Sequence, residues 1–401
     1  MSRKGITRRR NALKSLALFG PAWLAMMADL DASSIIGAAQ VGSTFGYGFV
    51  WVMILLIAPL YLVMEVAGRV GAVTRKGLGE LVRERFGREV ALLVAVPMFL
   101  TDLVTYVAEY LGIAVGLEVM EVPLALGLAV AYVLHMAVYW SGRYHIAERV
   151  LVKVSLVFGL ALLLSLILRG VKPYSPFYFE ASPDFFFLLA STVGAVIMPF
   201  MLFFQPSATA EKLANLESLS VKRVVKHYSR ETLFGAVVTQ LGMVIVEMTF
   251  TGVNVDSGTF ASGGELAKAL TPVAGPLSPY LFGVGLIGAA FLALVVVSLG
   301  STWGVVEALG LERKKGRVLY FVESLPAVTV VLLLPSGYLM DYVLFLLALF
   351  AVIVIAPLVL LGLLARDEEL MGEFRLKGFR ELMYWSSTAL IVSLGLLGLM
   401  S

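Results

Sequence analysis

Met26-Met27-Ala28-Asp29-Leu30-Asp31-Ala32-Ser33-Ser34-Ile35-Ile36 sets two carboxylates and two hydroxyls inside an otherwise apolar stretch spanning 15–42. A helix of about 20 apolar residues crosses a bilayer core, and in a straight helix both aspartates would lie near its centre. An ionisable group at that depth is costly and is a functional candidate by default. At i and i+2 a regular helix would aim them ~200° apart. Unwinding at Ala32-Ser33-Ser34 would remove that conflict and free backbone carbonyls as ligands. The bland reading is a pair of buried carboxylates hydrogen-bonded to neighbouring hydroxyls.

Working outward, a second apolar stretch at 184–205 is interrupted by Gly194-Ala195-Val196-Ile197-Met198-Pro199. Pro199 has no backbone N–H and disrupts the preceding turn, which leaves carbonyls around Ala195 available. Met198 could act as a thioether ligand for softer divalent ions. Yet methionine commonly fills packing gaps, and the chain has 16 of them. Two interrupted segments five spans apart run in opposite directions, the pattern of an inverted repeat whose unwound midpoints build a substrate site.

The rest of the chain agrees with a membrane reading. Its 401 residues are 59% hydrophobic and 15% charged, without cysteine, and its mean hydropathy is +0.91. That excess of apolar residues exceeds what an ordinary soluble core buries. It excludes a soluble enzyme, a nucleic-acid binder and a disulfide scaffold. Eleven helical spans are expected, at 15–42, 47–72, 90–117, 122–141, 147–169, 184–205, 231–253, 279–309, 318–335, 339–365 and 381–400. With the N-terminus in the cytoplasm, 28 of the 31 Lys and Arg lie on one side, and only Arg169, Lys172 and Lys268 fall outside. This is the positive-inside distribution and puts the C-terminus outside the cytoplasmic membrane. The expectation is an all-α integral membrane protein of one domain. It comprises a tail (1–14), a five-helix repeat (15–170), a second such repeat (184–365) and an eleventh helix (381–400). Ser207–Arg230 reads as a short interfacial helix, and Gly252–Pro279 as an outer loop.

In span 3, Asp102, Tyr106 and Glu109 fall at i, i+4 and i+7 on one face, beside Thr101 and Tyr110. This stripe is either a proton path or a polar seam between packed helices. Glu65, Glu247 and Glu307 lie nearer span ends, where solvation or hydrogen bonding is the ordinary expectation. Ser298, Ser301 and Thr302 in span 8 suit close helix packing as well as contact. Soluble-enzyme motifs are absent: no HExxH, no P-loop, no CxxC. The Ser141-Gly142 pair has no histidine at hand for intramembrane proteolysis. The chain is expected to be a non-enzyme without a cofactor.

The two interrupted segments resemble the natural resistance-associated macrophage protein (Nramp) family of divalent metal transporters. The family's DPGN motif aligns with Asp31-Ala32-Ser33-Ser34, its trailing QAGAxxGY with the segment ending at Gly46-Tyr47, and its GAxxMPH with Gly194–Pro199. Glu80–Gly87 and Ala108-Glu109-Tyr110-Leu111-Gly112 are also similar to family segments. The resemblance implies metal ligands at Asp31, Ser34, the Ala195 carbonyl and Met198, with Asp29 and Gln205 as further candidates. It implies alternating access on the five-plus-five, amino-acid–polyamine–cation transporter-like fold. The departures are specific. Ser34 replaces the family's Asn, Phe200 and Gln205 replace its helix-6 histidines, Tyr106 replaces a helix-3 acid, and span 10 lacks a glutamine. These changes look more like the divergent Nramp-related branch, some of whose members carry magnesium.

The function expected is import of divalent metal of the Mn²⁺ or Fe²⁺ type, with protons as co-substrate through Asp102 and Glu109. Magnesium transport is the alternative, since Mg²⁺ prefers oxygen ligands and retains water. An organic-substrate carrier, such as one for amino acids, and a non-transporting scaffold stand behind these. Expected partners are the metal ion, the bilayer and protons, without nucleic acid; a monomer suffices.

Overall fold

The computed structural model describes residues 18–140, 144–214, 219–253, 262–334 and 336–400; the basic tail and the Ser141–Gly142 pair lie outside them. Every regular element among the described residues is helical. We label them α1 (Pro21–Asp29), α2 (Ala32–Phe45), α3 (Val50–Thr74), α4 (Leu78–Phe86), α5 (Arg88–Val119), α6 (Leu124–Trp140), α7 (Tyr144–Arg169) and α8 (Pro183–Val196). The second half holds α9 (Pro199–Ala214), α10 (Val221–Phe250), α11 (Gly263–Ala274), α12 (Ser278–Leu309), α13 (Arg317–Leu333), α14 (Ser336–Ile353), α15 (Ile355–Arg366) and α16 (Phe379–Met400). By length and composition, 8 helical segments of the described residues are able to cross a membrane, with α8–α9 and α14–α15 each counted as one. The other three expected stretches fall on the α1–α2 pair, on α6 and on α16.

The periphery is apolar, with Leu126, Leu156, Ile167, Val318 and Leu382 exposed. Water would penalise such a surface, whereas lipid does not. The centre belongs to the interrupted segments, since every residue of α1 is buried and so is nearly all of α9. Small residues allow this density. A Cβ on Gly42 would lie 2.2 Å from the Glu247 carbonyl oxygen, and one on Gly194 only 1.8 Å from that of Leu347. Thus α2 meets α10, and α8 meets α14, backbone to backbone.

Two sequence expectations change. The outer segment is not simply a loop, because it contains α11. Ser262 caps that helix by accepting from the Glu265 N–H, and Leu266 and Leu270 bury its apolar side. Among the described residues, Ser207–Arg230 holds no separate interfacial helix: α9 extends to Ala214 and α10 starts at Val221. Of the two outcomes expected for Glu247 and Glu307, hydrogen bonding is the one observed, and both residues are buried. Glu247 accepts the Phe49 N–H (2.7 Å) at the start of α3, while Glu307 meets Ser207 (2.8 Å) and Arg313 (2.9 Å). Glu65 is partly buried and pairs with Arg69.

Candidate cation site

The first interruption lies earlier than the sequence suggests. Unwinding occurs at Leu30 and Asp31, while Ala32-Ser33-Ser34 form the first turn of α2. The reason is capping. Asp31 is extended (φ −86°, ψ 179°), and its Oδ1 accepts from the Ser34 N–H (2.7 Å) and the Ser33 hydroxyl (2.8 Å). An aspartate in that position satisfies a donor that the helix itself leaves free. Glu109 of α5 supplies a second acceptor, taking the Ala32 N–H at 3.0 Å. Two carboxylates therefore stand at the positive end of the α2 dipole.

The second interruption is at Ile197 and Met198, between α8 and α9. Pro199 begins α9 and cannot donate to the carbonyl four residues back, which is that of Ala195. Both α1 and α8 thus turn carbonyl-bearing ends toward the middle of the bundle, and α2 and α9 start there with their N-termini.

Ser34 and Ala195, one from each interrupted segment, line a single cavity of about 20 Å³ together with Ser191, Thr192, Gln240 and Met243. That volume has room for about one water-sized guest. Asp31 adjoins it through its bond to Ser34, and Met198 follows Ala195 by three residues; both are fully buried. Asp31 Oδ2, Ser34 Oγ and both polar atoms of Gln240 have no hydrogen-bond partner. Asp29, at the end of α1, is equally buried and both its oxygens are unpartnered. Gln205 points elsewhere, since its Nε2 donates to Thr232 (3.2 Å) and abuts Gly68 rather than the cavity.

The helix-3 stripe is fully buried, but its members part company. Glu109 reaches α2, whereas the Tyr106 hydroxyl donates to Glu323 on α13 (2.8 Å), which also accepts from Thr302 (3.2 Å). Asp102 lies beside Ser301 and Glu323. Next to them, His135 of α6 bonds Tyr110 (3.0 Å) and Ser298 (3.1 Å). No Lys or Arg of the described residues pairs with Asp29, Asp31, Asp102, Glu109 or Glu323. Glu323, His135 and Gln240 escaped the sequence reading, although each is a polar residue within an apolar stretch, the signal that singled out Asp31.

The α1 side of the site is closed. Glu231 of α10 accepts the Gly20 and Trp23 N–H groups, each at 2.8 Å, and Thr239 donates to the Met26 carbonyl (2.6 Å). Lys212 of α9 donates to the Phe19 carbonyl (2.5 Å) and pairs with Glu148 of α7 (2.8 Å). A larger cavity of about 580 Å³ lies elsewhere, between α4, α9 and α12, and none of the interruption residues lines it. Its Arg313 is engaged by Glu211 and Glu307.

Known proteins resemble this chain in sequence and in fold. A divalent metal cation transporter, MntH, of Verminephrobacter eiseniae is 26% identical over 304 residues, covering 74% of this chain and 67% of that protein. The MntH of Granulibacter bethesdensis is 24% identical over 404 residues, 98% of this chain and 90% of its own length. A mutant of the Eremococcus coleocola manganese transporter superposes with a TM-score of 0.80 at 17% identity, over 95% of this chain and 86% of that one. The family model described as natural resistance-associated macrophage protein-like matches residues 22–401. The chain, a multi-pass membrane protein, belongs to the Nramp family.

Proposed function

We propose that this transporter carries a divalent transition-metal ion, Mn²⁺ or Fe²⁺, bound between the two interrupted segments at Asp31, Ser34, the Ala195 carbonyl and Met198. The observation that carries the reading is the set of unpartnered oxygens around a water-sized cavity, with a carboxylate and no protein cation to neutralise it. A buried anion and orphaned polar atoms are costly. A cation that binds there and leaves again satisfies both costs for as long as it stays. Membership of a transporter family rather than an enzyme family, and relatives named as divalent metal cation transporters, support the same conclusion.

The size of the cavity separates the alternatives. Mg²⁺ ordinarily keeps several waters, for which about 20 Å³ leaves no room in this conformer. An amino acid fits still less well. The thioether of Met198 further favours a transition metal. The oxygen-rich surround of Ser33, Ser34 and Gln240 is what keeps magnesium as the second reading.

Transport would proceed by alternating access on an eleven-span, five-plus-five inverted repeat. Closure of the α1 side by Glu231, Thr239 and Lys212 means that release there requires α1 to leave α9 and α10. Glu109, capping the same turn as Asp31, is placed to hold a proton when the metal is absent and to give it up when the metal binds. Asp102 would extend that path toward Glu323. The test is uptake of Mn²⁺ and Mg²⁺ into proteoliposomes by wild type and Asp31→Ala. Mn²⁺ uptake that persists in excess Mg²⁺ and is lost in the variant is expected. Equal uptake of both ions would favour the magnesium reading, and uptake that ignores Asp31 would overturn the site.

A further inference from the structure

We infer that Gln240 of α10 is a specificity-determining ligand, supplying its side-chain amide oxygen to the cation as a neutral hard donor. This rests on the metal-transport reading above. Neither interrupted segment contains the residue, and its place in an apolar stretch gives no hint of what it faces. It is 0% exposed, yet neither Oε1 nor Nε2 has a hydrogen-bond partner. A buried primary amide normally finds partners for both ends, so both ends idle at once mark a group held ready for a guest. The guest's location is given by the cavity that Gln240 lines together with Ser34 and Ala195.

The position is fixed by its neighbour. Thr239 bonds the Met26 carbonyl at 2.6 Å, which pins α10 to the end of α1 one residue before Gln240. Gln205 provides an internal contrast: its amide nitrogen is spent on Thr232 and it lines no part of the cavity. Chemically, an amide oxygen adds coordination without charge, so it completes a shell around Asp31 while leaving the charge balance untouched. It also opposes the softness of Met198. Oxygen donors favour harder ions and thioethers softer ones, so Gln240 would hold the site's preference toward Mn²⁺ and away from Cd²⁺.

The test is calorimetric titration of the purified full chain with Mn²⁺ and with Cd²⁺, comparing wild type, Gln240→Met, Gln240→Glu and Asp31→Asn. Gln240→Met conserves volume and exchanges oxygen for sulfur. It should weaken Mn²⁺ binding about tenfold while Cd²⁺ binding holds or tightens. Gln240→Glu keeps an oxygen and should bind Mn²⁺ at least as tightly as wild type. If Asp31→Asn abolishes binding but Gln240→Met binds both ions as wild type does, Gln240 is no ligand and the metal site stands. Equal weakening of Mn²⁺ by the Met and Glu variants would assign the residue to packing and overturn the inference. Unchanged binding by Asp31→Asn would remove the site itself, and Gln240 with it.

Discussion

Two buried polar regions lie side by side in this bundle, and they are satisfied to different degrees. Around the interruptions, Ser34 and Gln240 present atoms without partners to a small cavity, and Oδ2 of Asp31, bonded to Ser34 through its other oxygen, has no partner either. In the seam between α5, α6, α12 and α13, the side chains bond one another: Tyr106 and Thr302 to Glu323, and Tyr110 and Ser298 to His135. Both regions bear the same cost of burying polar groups among apolar helices. The seam meets much of it within the protein through this network, although Glu323 Oε2 and the Ser301 and Ser324 hydroxyls there have no hydrogen-bond partner. The interruptions do not meet it within the protein, and on the proposed function a bound metal ion would. Asp102 stands between the two cases, beside Glu323 but with both oxygens lacking a hydrogen-bond partner.

The largest effect should come from the unpartnered region. Asp31→Ala removes the only carboxylate that caps α2 from within the first interruption. Metal affinity should fall by about 100-fold or more, measured by titration. The melting temperature should move little, because loss of a cap is offset by removal of a buried, uncompensated charge. A collapse in stability comparable to the loss of binding would instead make Asp31 a structural member like those of the seam. Next in size, Met198→Ala should reduce the preference for Mn²⁺ over Mg²⁺ in competition uptake by about tenfold, corresponding to ~1.4 kcal/mol. Unaltered discrimination would leave selectivity to the oxygens alone.

Glu109 joins the comparison from the seam's own helix while serving the interruption. Glu109→Gln keeps the shape and can still accept the Ala32 N–H through its amide oxygen. Mn²⁺ uptake driven by metal concentration alone should remain within a few-fold of wild type, whereas acceleration by an imposed pH gradient should disappear. Retention of that acceleration would move the proton's carrier elsewhere, with Asp102 the next residue to examine.

How much of this was legible in the sequence follows from the same distinction. Interrupted apolar stretches are visible because charge at membrane depth and Pro199 stand out in one dimension; the family resemblance then added Ser34 and favoured the ligand reading of Met198 over the packing one. The location of the unwinding was missed by a residue or two, since whether Asp31 ends one helix or caps the next depends on a hydrogen bond to Ser34. Gln240 and Glu323 carried the same signal, a polar residue in an apolar stretch, without a sign of what each would face. The meaning of each lies far along the chain: Gln240 shares a cavity with Ser34 and Ala195, and Glu323 accepts from Tyr106 and Thr302. The α11 helix went unseen because glycine and serine composition was weighed above the Ser262 cap and the buried pair Leu266 and Leu270.

The smallest functional effect, and the one that tests the comparison from its other side, belongs to His135. This imidazole is fully buried, holds a partner at each nitrogen, and receives the Tyr320 hydroxyl at its carbonyl (3.3 Å). Removing it leaves Tyr110 and Ser298 without their imidazole partner and opens space in the core. His135→Ala should therefore destabilise the fold by about 2–4 kcal/mol, seen as a lower melting temperature in detergent. Uptake per folded molecule should be unchanged, because no atom of His135 lines the cavity. If uptake fell while stability held, the seam would be part of the transport cycle rather than its frame. The difference between satisfied and unsatisfied polar atoms would then cease to mark where the substrate binds.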